Sequence, residues 1–471
     1  MGNRKTAVFL ACAGLCLLFI RSLISSDSLG VDGRYTLGSV AAVVVLWSTG
    51  ALHPAATSLL AVLLLLVIPG VDSSSVLLGF ASPVLFFLLG VLMLAGAIVS
   101  SGLAARLSGW VTRISEGDGL KLVTRTTLLL PLMAVVVPSA LTRNAILLPV
   151  FERALAHPAF RGSRKLARAV AMVLARLNPM ASSMFLTGGV APAMAASLLG
   201  GFLWFRWLAL MAVPYAAVMG LGLVLVMVLP APVEGRGNGR AALGPQRMLE
   251  ISEDRMPARL QPGEWWVVGI LALACTLWLT DTYHGLPSAV PALIAAVLIL
   301  SPWPGILSWR AASSSIEWSL FVVSGAALSL SHVLQTTGAA QWVAGRIIGW
   351  GAFAGLPAWG VLVVVILVSA MIHASIPSLP AAIAVALPLV GEIGRQAGLN
   401  PVVLGLTALI TIDAVAFYPA QSATIYMVCQ YTELERTDVF RFGLGMLLAV
   451  FIVVNVVAIP WWRLLGLPLS Y

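Results

Sequence analysis

Clusters of small, polar or charged residues interrupt an otherwise apolar chain, and their chemistry is that of holding a ligand. Ser139, Thr142, Arg143 and Asn144 stand together, Thr187, Gly188 and Gly189 form a second group, His373, Ser375 and Ser378 a third, and Ala420, Gln421 and Ser422 a fourth. Hydroxyl and amide groups can donate to carboxylate or sulfate oxygens and can also give oxygen ligands to Na⁺. Glycine exposes backbone amides and carbonyls to whatever lies nearby. Arg143 admits two readings: a fixed cation that pairs bidentately with a substrate carboxylate, or a structural arginine bonded to backbone carbonyls. Asp413 is a carboxylate deep within an apolar run. It can carry a proton, help bind Na⁺, or form a structural ion pair. Ser139, Gly188, Gly189, Ser378, Ala420 and Asp413 are accordingly the candidates for a coupling ion, and no other cofactor is expected. His332 reads as packing. No nucleophile–base–orienter set, paired carboxylates or phosphate-binding glycine loop is present, so the reading is of a non-enzyme that does not use ATP.

These groups must be positioned by elements that live in lipid. The chain has 471 residues, 60% hydrophobic and only 10% charged, with a mean hydropathy of +1.00. An average soluble domain is roughly 25% charged, so this composition cannot form an ordinary water-facing surface. The net charge of +9 does not indicate a nucleic-acid reader, because the basic residues lie between long apolar runs rather than in clusters on a solvated face. Cys12, Cys16, Cys275 and Cys429 show no metal-ligand spacing and read as packing residues. The N-terminal run Ala7–Ile20 reads as a retained first helix rather than a cleaved signal.

A spanning helix needs about 20 mostly apolar residues. Spans are expected near 7–24, 36–51, 55–69, 82–105, 207–229, 264–280, 287–301, 316–340 and 441–465. Pro-interrupted hairpins are expected at 122–155 and 357–390, and broken helices at 170–200 and 401–430. The expected fold is an all-α polytopic membrane protein with about 11 transmembrane helices plus two re-entrant hairpins. Its organisation divides into N-terminal scaffold helices (1–75), a first repeat (76–230), a polar cytoplasmic linker (231–263), further scaffold helices (264–311) and a second repeat (312–471). The positive-inside rule puts the N-terminus, the Arg106–Arg125 loop, the Arg153–Arg176 loop and the linker in the cytoplasm of a bacterial inner membrane.

The two halves repeat. Phe86-Phe87-Leu88-Leu89-Gly90 is matched by Phe321-Val322-Val323-Ser324-Gly325, and Pro138-Ser139 precedes Pro149 as Pro377-Ser378 precedes Pro388. Each hairpin is followed by a segment broken by small residues, Phe185–Pro192 in the first half and Phe417–Thr424 in the second. Inverted repeats with paired interruptions point to a secondary transporter with a midplane site. Helix breaks expose N–H and C=O groups that hydrocarbon does not tolerate unless protein, water or ligand satisfies them.

At these residues the chain resembles the divalent anion:sodium symporter family, and most of all its 2-oxoglutarate/malate translocator branch. Val137-Pro138-Ser139-Ala140-Leu141-Thr142-Arg143 is similar to the family's first hairpin tip, Ser182-Ser183-Met184-Phe185-Leu186-Thr187 to the first break, and Ser369-Ala370-Met371-Ile372-His373-Ala374-Ser375 to the approach to the second tip. The resemblance implies a homodimer with a scaffold and a moving transport domain, an elevator motion, and a dicarboxylate-like substrate held between the tips by cation symport or anion exchange. Both tips depart from the family by lacking the Asn of its S-N-T signature. A cation/proton antiporter or oxyanion exporter on the same architecture is the competing expectation.

Overall fold

The computed structural model describes residues 2–24, 28–103, 106, 118–156, 163–229, 260–303, 305–349 and 356–470. Most of the linker expected at 231–263 lies outside the described residues, as do Asp27, Arg113 and Arg161. Among the described residues the chain is helical, with a single isolated bridge between Leu399 and Ser470. Among these residues, seven helices are long and apolar enough to cross a membrane.

Local chemistry sets the helix boundaries. Gly2–Ile24, Val31–Thr49 and Pro54–Leu66 come first. The next span starts before its expected place: Asp72 caps a short turn at Ser73–Leu77, and the chain tightens through Leu78–Ala81. It then restarts at Pro83–Ser100, where the Ser82 hydroxyl accepts from the Val84 amide and Pro83 takes the first helical position. A proline there gives up no intrahelical hydrogen bond. The first hairpin is Gly119–Val136 followed by Ala140–Ala156, opened by Asp118, which accepts from the amides of Leu120 and Lys121. The second is Ala358–Ser375 followed by Leu379–Gln396. Trp204–Val228, Pro262–Leu279, Ala289–Leu300, Trp318–Thr336 and Arg436–Leu464 complete the long elements. The short helices Trp309–Ser315 and Ala339–Ile347 stand where hydropathy alone marks no separate element.

Both expected broken segments are broken. The first runs as Arg164–Met172, a wide π turn at Val173–Leu177, and Asn178–Ser183. It loses helical form at Met184, tightens at Leu186–Gly188 and resumes as Val190–Leu198. The second runs as Pro401–Ala414, a tight turn at Pro419–Gln421, and Ala423–Tyr431.

The hairpins and broken segments pack crosswise. The second arm of the first hairpin packs against Ala423–Tyr431 of the second broken segment, and the second arm of the second hairpin against Val190–Leu198 of the first. Ala423–Tyr431 also packs on the π turn at Val173–Leu177. Around this body, Pro83–Ser100 lies along Ala289–Leu300, and Trp318–Thr336 lies along Pro54–Leu66. Glycine permits close approaches here: a methyl group on Gly79 would stand 2.3 Å from the carbonyl oxygen of Gly325. Outward residues such as Leu59, Leu63, Val297, Leu448 and Val456 are exposed, as lipid-facing positions are. A bidentate ion pair from Arg106 to Glu264, with Nε to Oε1 at 2.6 Å and Nη2 to Oε2 at 3.0 Å, joins the two halves of the chain. Glu264 also accepts from the Gln261 amide at 2.6 Å, which closes the start of that helix.

Candidate functional site

The first tip is Val137-Pro138-Ser139, between the two arms of the first hairpin. Proline cannot donate and disfavours helix in the residue before it, so the arm stops at Val137, whose φ of −122° and ψ of 93° are extended. The Ser139 hydroxyl accepts from the Thr142 amide at 3.2 Å, starting the second arm. Arg143, on the first turn of that arm, is fully buried. Its guanidinium donates to Oδ1 of Asn178 at 2.6 Å, to the carbonyl of Asn178 at 2.8 Å, to the Ser182 hydroxyl at 2.5 Å and to the carbonyl of Val137 at 2.6 Å. Arg143 therefore staples the first tip to the first broken segment. Of the two readings open from sequence, this geometry favours the structural arginine.

Asn178 completes that clamp. Its amide nitrogen donates to the carbonyl of Ala140 at 3.0 Å and to Oδ1 of Asn144 at 2.7 Å. The amide nitrogen of Asn144 itself, fully buried, has no hydrogen-bond partner among the described residues. It is a buried donor waiting for an acceptor. Thr142 is part-buried beside it.

The first break lies close to this tip. A methyl group on Gly189 would meet the carbonyl of Pro138 at 3.8 Å, and one on Gly188 would fall 1.8 Å from the carbonyl oxygen of Ser182. Thr187 is buried and accepts from the indole of Trp204 at 3.2 Å. The Trp207 indole donates to the carbonyl of Ser183 at 3.2 Å.

The second tip, Ile376-Pro377-Ser378, is stapled to its own broken segment by neutral groups. The Tyr418 hydroxyl donates to the carbonyl of Ala374 at 2.6 Å, and the Gln421 amide to the carbonyl of His373 at 3.1 Å. The break also supplies its own acceptor: Oε1 of Gln421 takes the amides of Phe417 at 2.5 Å and Tyr418 at 3.0 Å. The Ser422 hydroxyl pairs with that of Thr424 at 2.6 Å. His373 is buried, and its Nδ1 has no partner among the described residues. Ser375 is exposed and its carbonyl accepts from Ser48 on Val31–Thr49, so the second tip leans on a scaffold helix. Ser378 is part-buried and Ala420 exposed.

The two broken segments meet where Arg176 reaches the end of the second one. Arg176, in the π turn, is buried and donates to the carbonyl of Ala414 at 2.6 Å, with its guanidinium 5.8 Å from the centre of the Phe442 ring. Asp413, one residue earlier on the second segment, is buried, accepts from the Tyr215 hydroxyl at 3.0 Å, and has Arg176 as its opposing charge. Among the described residues no three His, Cys, Asp or Glu side chains form a metal-binding group.

Asn178, Ser182, Arg176, Tyr215 and Tyr418 are the residues that sequence reasoning missed as parts of this centre. The Asn178-Pro179 pair inside an apolar run was a usable signal, and Ser182 lay within the motif quoted for the first break. Arg176 was counted with the basic cytoplasmic loop, whereas the chain is already helical from Arg164 and buries it.

The four half-helix starts differ in their caps. Ser139 caps the first. Those at Val190, Leu379 and Ala423 have no side-chain cap, so their first amides carry the positive end of the helix dipole without a neutralising partner side chain. Amides of this kind suit anions.

The family described as Sodium:sulfate symporter transmembrane region matches residues 5–468. A membrane protein of Cupriavidus necator is 25% identical over 97% of this chain and 92% of its own. The chloroplastic dicarboxylate transporter 2.1 of Arabidopsis thaliana is 24% identical over 82% of this chain and 70% of its own. In fold, the chain is similar to the YdaH transporter of Alcanivorax borkumensis, with a TM-score of 0.56 and 15% identity over 89% of this chain and 100% of that one.

Proposed function

The chain belongs to the sodium:sulfate symporter family, and on that premise we propose that it carries a small divalent anion through a site between its two hairpin tips. Membership makes it a multi-pass membrane transporter of small anions and not an enzyme. The finer reading is a dicarboxylate such as malate, succinate or 2-oxoglutarate, with sulfate as the inorganic counterpart of the same charge. The name of the Arabidopsis relative favours the dicarboxylate.

One observation carries the reading. Three uncapped half-helix starts, at Val190, Leu379 and Ala423, belong to the same interlocked body as the unpartnered donor of Asn144. Fixed amide dipoles suit anions, and a buried N–H without a partner costs about 1–3 kcal/mol until an acceptor arrives. A carboxylate or sulfate supplies such acceptors. Thr142, Thr187, Ser378 and Ser422 add hydroxyls, with Arg143 and Gln421 holding the frame.

The crosswise packing of each hairpin on the other half's broken segment is what an inverted duplication would produce, and it supports that reading. The body of hairpins and breaks would then move as a unit against the scaffold, in an elevator motion within a homodimer of the inner membrane. The contact of Ser48 with the second tip lies at the boundary where that sliding would occur.

The test is uptake of labelled malate, succinate, citrate and sulfate by proteoliposomes. Saturable uptake of a dicarboxylate is the expected result, and no flux of any of the four overturns the substrate class. Asn144→Asp keeps the acceptor for Asn178 but removes the unpartnered donor and adds a negative charge. It is expected to weaken anion affinity by about tenfold or more, the equivalent of one lost hydrogen bond to a charged group.

A further inference from the structure

We propose that a cleft at one end of the helix bundle, apart from the hairpin tips, holds the headgroup of an anionic phospholipid. Its walls are Lys165, Arg168, Ala169 and Met172 on the helix Arg164–Met172, with Val226 and Leu229 where Trp204–Val228 ends. At 1.5 Å per residue, about 20 Å of helix separates Lys165 from Asn178 of the Arg143 clamp. The cleft therefore lies outside the anion site proposed above.

Sequence spacing builds the first wall. Positions 165, 168, 169 and 172 follow one another at i, i+3, i+4 and i+7, the pattern that gathers side chains on one face of a helix. That face is basic at its start and apolar at its end, over about 10 Å of rise. The opposite wall runs the other way, from Val226 out to Leu229. Depth follows from length. Trp204–Val228 has 25 residues and is apolar enough to span. It is about 37 Å long at 1.5 Å per residue, against a hydrocarbon core of about 30 Å. Its last turn reaches the edge of the headgroup layer. Val224 and Val228, on the last two turns, are exposed, as residues in contact with acyl chains are.

Charge selects the occupant. Arg168 is fixed in place: its Nη2 donates to Oδ1 of Asp438 at 2.5 Å, on the first turn of Arg436–Leu464. Asp438 is buried, and its Oδ2 accepts the Glu435 amide at 3.2 Å. Lys165 is exposed and enters none of the ion pairs among the described residues. Its ammonium is the cation at the mouth. Lys121 adds a charge of the same sign on the first turn of Gly119–Val136, which packs on Arg164–Met172. A phosphodiester meets this rim with its non-bridging oxygens, and its glycerol and upper acyl carbons cover Ala169, Met172, Val226 and Leu229. A free phosphate would leave those four apolar residues wet, so the lipid is the occupant that uses both parts of the cleft. Basic pockets between spanning helices suit anionic headgroups for this reason.

The measurement is the melting temperature of the purified, delipidated full chain in neutral detergent. It is titrated with dioleoylphosphatidylglycerol, with dioleoylphosphatidylcholine and with inorganic phosphate. A saturable rise with phosphatidylglycerol, and none with the other two, is the expected result. Lys165→Gln is expected to raise the half-saturating lipid concentration about fivefold, the equivalent of one basic residue at an anionic surface. Arg164→Gln removes the adjacent exposed charge, which does not line the cleft, and is expected to change nothing. Ala169→Phe fills the apolar part, keeps both cations, and is expected to abolish saturation. No rise with phosphatidylglycerol, equal rises with the two lipids, or the same rise with inorganic phosphate overturns the inference. So do equal effects of the two glutamine variants, which would mean diffuse attraction, and a folded Ala169→Phe protein that saturates as wild type does. If Ala169→Phe does not fold, the comparison of Lys165→Gln with Arg164→Gln decides.

Discussion

Arg143→Ala is expected to prevent accumulation of a folded, detergent-stable protein rather than simply to weaken anion binding. The change abandons four acceptors in a buried place: Oδ1 and the carbonyl of Asn178, the Ser182 hydroxyl and the Val137 carbonyl. Each buried polar group left without a partner costs about 1–3 kcal/mol, so the sum approaches the total stability of about 5–15 kcal/mol typical of a folded protein. The loss of a buried charge offsets part of this, because an unpaired guanidinium is itself costly to bury. Arg143→Met separates lost volume from lost donors: it restores volume but omits both charge and donors, and it is expected to fail as alanine does. Arg143→Lys keeps one charge but not the planar fork, and should retain a smaller folded fraction. Fluorescence-detected size-exclusion profiles read all three. A well-folded Arg143→Ala protein that only raises the half-saturating anion concentration would return the guanidinium to the substrate.

Gly188→Ala is expected to lower transport by about tenfold or more while the protein still reaches the membrane. The added methyl would stand 1.8 Å from the Ser182 carbonyl oxygen, 2.6 Å from its carbon and 2.8 Å from its Cα. All three are backbone atoms at the end of a helix, so no side chain can swing aside. The break must open instead, which carries Gly189 and the uncapped start at Val190 with it. Overpacking of this kind costs about 1–3 kcal/mol, and about 1.4 kcal/mol is tenfold in affinity. Gly189→Ala is the control, since its methyl would meet nothing closer than 3.8 Å. Equal transport by wild type and Gly188→Ala would remove this turn from the binding machinery.

Composition and punctuation alone determined the solvent and the plan. A chain with 60% hydrophobic and 10% charged residues has no way to fold except in lipid, and proline at 138 and 377 must end a helix wherever its neighbours lie. The interruptions at both prolines and both breaks were therefore legible, because their causes are local: a missing N–H, a restricted φ, a glycine too close to a carbonyl. The helix expected from 82 starts at Pro83; the short lead-in at Ser73–Ala81 was not legible, because the caps at Asp72 and Ser82 act on polar residues that hydropathy discounts.

Partnership was not legible. From the sequence, Arg143 could face a ligand or a carbonyl, and Asp413 an ion or a neighbour, since nothing in residue order says that Arg176 reaches the carbonyl of Ala414 or that Tyr215 bonds Asp413. Only the packing of one broken segment against the other brings a side chain from the first half onto the Ala414 carbonyl of the second. A buried charge takes whatever partner the fold places within reach, and that placement belongs to the tertiary structure.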